Sequence, residues 1–425
     1  MRKIVVLKPH EWLGNSFRAK NFSLAASDLE TKIQTAGMQF LAEAPVQVPV
    51  ASEMVPVPDP RGEYSFKAGY NYALAVEFED DEAEARFARD SSNEIEGVYS
   101  DPAIAPFPIV CPSAAVGGLA DVQNQIRILP VHAATHRGAG VRIAVVDTGI
   151  DGTQINVAGG LNRAGFPGPG TSPPDHGTMV AFDARIAAPD AMIYDYPLLK
   201  SSGGLWVGFL SDAIRIYAEL LTLILTLPGP LVVNNSWGMY DRSTDRPVGN
   251  PQNYSANPRH PFNLIAGTLV GAGADVFFAD GNCGSTCPVS RCGAGDRGPG
   301  NSIHGANSHP DLISVAAVTI NDDLLGYSSE GPGALFAQKP DLSASSHFFG
   351  SAVKGQPDTG TSAACPVAAG IAAALRSKPS ARTILPAQMK AALVNSARQP
   401  GGTPAGWNAQ TGWGIVDAAS AYAAV

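Results

Sequence analysis

The chain has 425 residues, of which 45% are hydrophobic and 16% charged, with a formal net charge of -9 at pH 7. That is a globular composition with chain enough for about two to three domains, and the absence of any long Lys and Arg block excludes nucleic acid as an expected partner. The longest apolar region, LLTLILTLPGPLVV, is broken by two prolines and a glycine, and it falls short of the ~20 residues of a membrane span.

The opening MRKIVVLKPHEW carries only a four-residue apolar run. A secretory leader needs about 7–15 apolar residues, so a cytoplasmic location is expected, with secretion by another route left open. KIVVLK predicts a strand and AASDLETKIQTAGMQFLAE a helix capped at Ser27 or Asp28. YNYALAVEFE alternates as a half-buried strand does. DEAEARFARDSS predicts a second helix, and EIEGVYSDP a third strand. The order predicts a small α+β (ferredoxin-like) N-terminal domain. DPAIAPFPIVCPSAAVGG has linker composition. It places the boundary between Asp101 and Gly118, giving domains 1–112 and 113–425.

Beyond it, VRIAVVDTG, AMIYDYPLL, PLVVNNSWG, ADVFFADGN and DLISVAAVT are short, continuous apolar runs. LSDAIRIYAELLTLIL and FNLIAGTLVGAG lie between them with helical spacing. Strands buried on both faces and alternating with helices predict an α/β domain with a parallel sheet. Functional residues then belong just past the carboxyl ends of strands.

Three short motifs sit at such ends. Asp147 closes the strand RIAVVD. His176 opens the helix HGTMVAFDARIA, and Ser362 opens the helix of GTSAACPVAAG after Gly360. Each alone reads as ordinary: a turn aspartate, a structural histidine, a capping serine. Together they match one chemistry. A serine hydroxyl needs a base to take its proton, and the base needs a carboxylate to orient it. The order Asp, His, Ser differs from that of chymotrypsin-like and α/β-hydrolase enzymes, and no G-x-S-x-G elbow occurs in the chain.

VVDTGID, HGT and GTSAACP resemble the three signature blocks of the subtilisin-like serine peptidases, the subtilases. The resemblance covers roughly Gln125 to the C-terminus. It implies a three-layer fold with helices on both faces of the parallel sheet. It also implies hydrolysis of peptide or protein substrates through an acyl-enzyme, with Asp147, His176 and Ser362 as the triad. GN in VFFADGNCG is similar to the block that supplies the oxyanion-hole asparagine, here Asn282. VVNNSWG resembles the substrate-lining strand, with Ser236, Trp237 and Gly238 pairing with an extended peptide; Trp237 could equally pack beneath the cleft. The chemistry implied needs no cofactor. The calcium loop that often follows the histidine block is missing, so no metal site is carried over. Other calcium sites, such as the acidic turn Asn321 to Asp323, stay open.

Subtilases often carry an α+β propeptide that assists folding and then blocks the cleft. The first domain is similar in pattern, which would make AIAPFPIVCPS a tail crossing the active site. The alternative is a permanent accessory domain. Two rival functions remain: a silent peptide-binding pseudoprotease, and a ligating or exopeptidase variant. Cys283, Cys287 and Cys292 crowd after Asn282. A disulfide between two of them, a metal site and free thiols all compete, and the disulfide sits awkwardly with a reducing cytoplasm. Cys365 reads as a small core residue. Asp280 either favours basic substrate side chains or pairs with Arg291 or Arg297.

Overall fold

A computed structural model describes residues 1–8, 38–41, 46–49, 55–58, 64–67, 70–106, 114–202, 205–227, 229–401 and 405–425. Its strands are β1 (Arg2–Leu7), β2 (Met38–Phe40), β3 (Val46–Pro49), β4 (Val55–Pro58), β5 (Tyr64–Lys67), β6 (Tyr70–Phe78), β7 (Ile95–Ser100), β8 (Ala103–Pro106), β9 (Arg142–Asp147), β10 (Val157–Gly160), β11 (Met192–Pro197), β12 (Lys200–Ser202), β13 (Leu205–Phe209), β14 (Leu231–Asn235), β15 (Trp237–Gly238), β16 (Asp275–Ala279), β17 (Ile313–Val318) and β18 (Leu342–Ser345). The α-helices are α1 (Asp81–Asp90), α2 (Leu119–Gln125), α3 (Leu129–Ala133), α4 (His176–Ala187), α5 (Leu210–Thr226), α6 (Pro261–Gly271), α7 (Thr361–Arg376), α8 (Pro386–Ser396) and α9 (Ala418–Ala424).

The large sheet runs β10-β11-β9-β14-β16-β17-β18, and every neighbouring pair in it is parallel. Each strand sends alternate residues to opposite faces. Ile143, Val145, Val232 and Phe277 join one core cluster with residues of α4 and α7. Ala144, Val146, Val233 and Phe278 join another with residues of α5 and α6. The predicted three layers are therefore present, and the helices bearing His176 and Ser362 share one face.

Those two helices pack very closely. A Cβ on Gly370 of α7 would lie 2.1 Å from the Ala184 carbonyl oxygen of α4, so only glycine allows this approach. The far end of α7 is fixed by Arg376, which donates to both oxygens of buried Asp275 at 2.7 Å each. The Asp175 carboxylate caps α4 by accepting from the His176 N–H.

The N-terminal sheet has the order β2-β6-β1-β7, with β3 also on β6, and its pairs are antiparallel. Val5, Leu7, Leu74, Val76 and Phe78 face Phe87 of α1. Ile4, Val6, Val46, Val48 and Ala73 turn the other way and join the cluster containing α5 and α6. The helix expected over 25–43 ends instead in a strand, β2, whose Met38 to Phe40 pair with β6; its earlier part lies outside the described residues. Edge pairing, which no local pattern announces, decided that segment.

The expected linker is also partly ordered. β8 lies between β13 and β15 in a small sheet of order β12-β13-β8-β15. The rest of the predicted tail, 107–113, lies outside the described residues. Ion pairs hold the N-terminal part together and, through Arg246, tie it to the remainder. Lys3 meets Glu84 at 3.1 Å, and Arg246 reaches Glu84 at 3.0 Å and also Asp81. Arg2 meets Asp101 at 2.5 Å. His260 Nε2 stands 2.9 Å from the Ser100 carbonyl at the end of β7. Among the described residues, no helix is long and apolar enough to cross a membrane.

Candidate active site

Asp147 ends β9, fully buried, and Pro197 of β11 lies beside it in register. Its Oδ1 accepts from the Thr148 N–H at 2.7 Å and lies 2.8 Å from His176 Nδ1. That bond selects the tautomer with the proton on Nδ1, so Nε2 is left as the basic nitrogen. His176 Nε2 is buried, with no hydrogen-bond partner among the described residues.

Gly360 adopts φ +81° and turns the chain into α7. Ser362 lies in its first turn and is buried. Its Oγ donates to the Ser236 carbonyl at 3.1 Å. The structure therefore brings Asp147 and His176 into contact and places the Ser362 hydroxyl on Ser236, with no bond to His176. Pro366 explains a second contact there. It has no N–H to meet the Ser362 carbonyl four residues back, and the Ser236 hydroxyl donates to that carbonyl instead, at 3.0 Å.

Asn282 follows β16 and is buried. Its Oδ1 accepts from both the N–H and the hydroxyl of Thr361, at 3.0 Å each. With Oδ1 so engaged, Nδ2 is the donor end of the amide. The loop after it is covalently closed by a disulfide between Cys283 and Cys292. Cys287 is also disulfide-bonded. This pairing removes the metal and free-thiol alternatives for these cysteines. Cys365 is free, buried as expected, and burial pushes its thiol up.

Trp237 and Gly238 pair through their backbones with Pro106 and Ala105 of β8. The Trp237 ring is fully buried and packs against Phe262 and Phe278 at 5.7 and 5.2 Å between centroids. Its backbone thus pairs with β8 while its side chain belongs to the core. On the other side, Ile104 and Ala103 pair with Gly208 and Phe209 of β13. Tyr240 donates to the Pro106 carbonyl at 2.6 Å. A cavity of about 250 Å³ opens beside Pro106 and His176, lined also by Met179, Trp206 and Lys354. Lys354 meets Asp175 there at 2.5 Å.

Asp280 pairs with neither Arg291 nor Arg297. It is buried beside the Ser328 hydroxyl, and burial pushes its carboxyl well up. Arg291 instead donates to the Trp206 carbonyl and Arg297 to that of Cys292. Sequence reasoning passed over two other acids. Asp195, in β11, is buried and pushed up to about 6 by desolvation. Asp183 of α4 is pushed well up by burial and by Asp358 beside it. The signal for both was a charge inside an apolar run. Among the described residues, no group of three or more His, Cys, Asp or Glu side chains could hold a metal ion.

The sequence profile of the Subtilase family matches residues 138–414. The chain belongs to the subtilase family. It is similar to subtilisin E of Bacillus subtilis (strain 168), 26% identical over 270 residues that make up 60% of each protein. It is also similar to mycosin-4 of Mycobacterium tuberculosis (strain ATCC 25618 / H37Rv), 27% identical over 321 residues, or 67% of this chain and 65% of that protein. The chain thus covers about three fifths of the length of subtilisin E. Fervidolysin from Fervidobacterium pennivorans, a keratinolytic enzyme related to subtilisin, shares the fold with a TM-score of 0.63 at 17% identity, over 99% of this chain and 60% of that one.

Proposed function

We propose that this subtilase is a serine endopeptidase, with Asp147, His176 and Ser362 as its triad. The observation that carries the reading is the 2.8 Å contact of His176 Nδ1 with Asp147, which leaves Nε2 as an unpartnered base. Ser362 leaves the Ser236 carbonyl and turns its hydroxyl to Nε2. His176 takes the proton as Oγ attacks the substrate carbonyl, and Asp147 stabilises the imidazolium. His176 then gives that proton to the leaving amine. Water repeats the sequence on the acyl-enzyme, freeing Ser362 and the new carboxyl end. Asn282 Nδ2 donates to the oxyanion formed in each half.

The segment up to about residue 112 is read as an inhibitory and folding-assisting domain. β8 supports this: it lies antiparallel to Trp237–Gly238, as an added substrate strand would. The disulfides support work in an oxidising compartment rather than the cytoplasm expected above.

A second reading, a peptide-binding subtilase that does not cut, draws on the Ser362 hydroxyl resting on Ser236. One experiment separates the two. The full chain and its Ser362→Ala form are incubated side by side, treated with a serine-directed phosphonate, and their new N-termini sequenced. Labelling and new termini in the native chain alone support the peptidase. Neither protein labelled, and no new termini, would overturn it. Mass spectrometry of the products distinguishes internal cuts from terminal cuts and from ligation.

A further inference from the structure

Asp195 takes no part in the steps above, yet it is fully buried within the parallel sheet. A single oxygen, Oδ2, accepts from two backbone N–H groups, Ile150 at 3.1 Å and Gly170 at 2.9 Å. Ile150 lies on the chain leaving Asp147. Gly170 lies on the loop that arrives at Asp175 and His176. One carboxylate oxygen therefore joins the segment that carries the acid to the segment that carries the base.

The surrounding packing has no slack. A Cβ on Gly149 would lie 2.0 Å from Ser172 Oγ, and one on Gly177 would lie 2.5 Å from the Gly149 oxygen. The Gly177 N–H donates to Thr148 Oγ1 at 2.9 Å, and the Asp151 N–H donates to Thr178 Oγ1 at 3.0 Å. In the sheet, Asp195 lies beside Val145 and Pro197 beside Asp147. With a side-chain period of two, Asp195 and Asp147 share one face. Asp195 Oδ1 and Asp147 Oδ2 each lack a hydrogen-bond partner among the described residues.

We propose that Asp195 is a positioning residue for the Asp147–His176 pair, holding the two loops at the separation their hydrogen bond needs. It also places a second buried anion behind that pair. Burial pushes the Asp195 carboxyl up to about 6; the Gly170 and Ile150 N–H groups oppose the shift, and the Asp147 charge adds to it. The other acid bearing on Asp195 is thus Asp147, itself in contact with His176.

The kinetic arm of the test rests on the peptidase reading; the spectroscopic arm does not. Asp195→Ala removes the acceptor. Asp195→Asn keeps an oxygen where Oδ2 stands and removes the charge. In full chains left to process themselves, Asp195→Ala is expected to lower kcat about 10- to 100-fold with little change in KM. Asp195→Asn should stay within about threefold of native kcat, while the acid limb of its kcat/KM profile moves down by several tenths of a pH unit. Native kcat in Asp195→Ala would overturn the proposal. So would equal damage in both variants with the acid limb unmoved. In the Ser362→Ala background, the low-field proton resonance of the Asp147–His176 hydrogen bond should persist with Asn at 195 and vanish with Ala. Its persistence with Ala would also overturn the proposal, and this readout stands even if the chain cuts nothing. Should the alanine form fail to fold, the shift of the acid limb in Asp195→Asn decides.

Discussion

Asn282 is anchored through Oδ1, which takes both the N–H and the hydroxyl of Thr361, so the amide cannot turn over without losing two bonds. Asn282→Ala should therefore lower kcat about 100- to 1,000-fold with KM nearly unchanged, a range known from the same change in subtilisin. Steady-state kinetics on a chromogenic peptide checks it, and equal kcat would refute the oxyanion role. At this scale the sequence was legible wherever a motif carried the residue. Asp147 and His176 stand in short blocks 29 residues apart, and the fold brings them into contact. Asp195 was not legible, because a lone acid in YDY looks like the polar half of an alternating strand. Only the loops it joins give it a role, and those loops are 20 or more residues away in the chain. Asp280 misled for a related reason. It follows β16 directly, but its side chain lies beside Ser328, 48 residues further along.

Among the elements, the loop that follows β16 is pinned at both ends of its first turn. The Cys283 N–H donates to Ser329 Oγ at 3.2 Å, and the Ser285 N–H donates to Glu330 at 2.8 Å. The Cys283–Cys292 disulfide closes the same loop. Replacing both cysteines by alanine should cost about 2–4 kcal/mol of stability, read as a lower midpoint in urea, and should lower kcat through Asn282. An unchanged midpoint would show the loop to be held by its hydrogen bonds alone. The parallel strands were legible because residues buried on both faces leave an unbroken apolar run. β8 was not. Its AIAP reads as linker by composition, and it becomes a strand only because β13 and β15 offer open edges on either side. β2 was hidden in the same way, since its pairing with β6 overrides a helical spacing.

For the whole molecule, the N-terminal sheet is joined to the rest by apolar packing and by charges that have left water. Lys3 and Glu84 are both buried, and Arg246 bridges Glu84 and Asp81. Arg246→Ala strips buried Glu84 of its partner across this seam. Freshly purified Arg246→Ala chain should therefore reach full activity sooner than the native chain; an unchanged lag would argue that this cluster does not govern release. The arrangement of two α/β and α+β parts was legible from element order, whereas the charged seam was not, because its members come from segments some 160 residues apart. The contact between Gly370 and Ala184 has a reach beyond its own neighbourhood. It makes the helices bearing His176 and Ser362 behave as the arms of a pair of tweezers joined well below the tips. A single methyl group at 370 would spread those tips without touching them. Gly370→Ala should thus impair peptide cleavage severely in a protein whose every reactive atom is still in place.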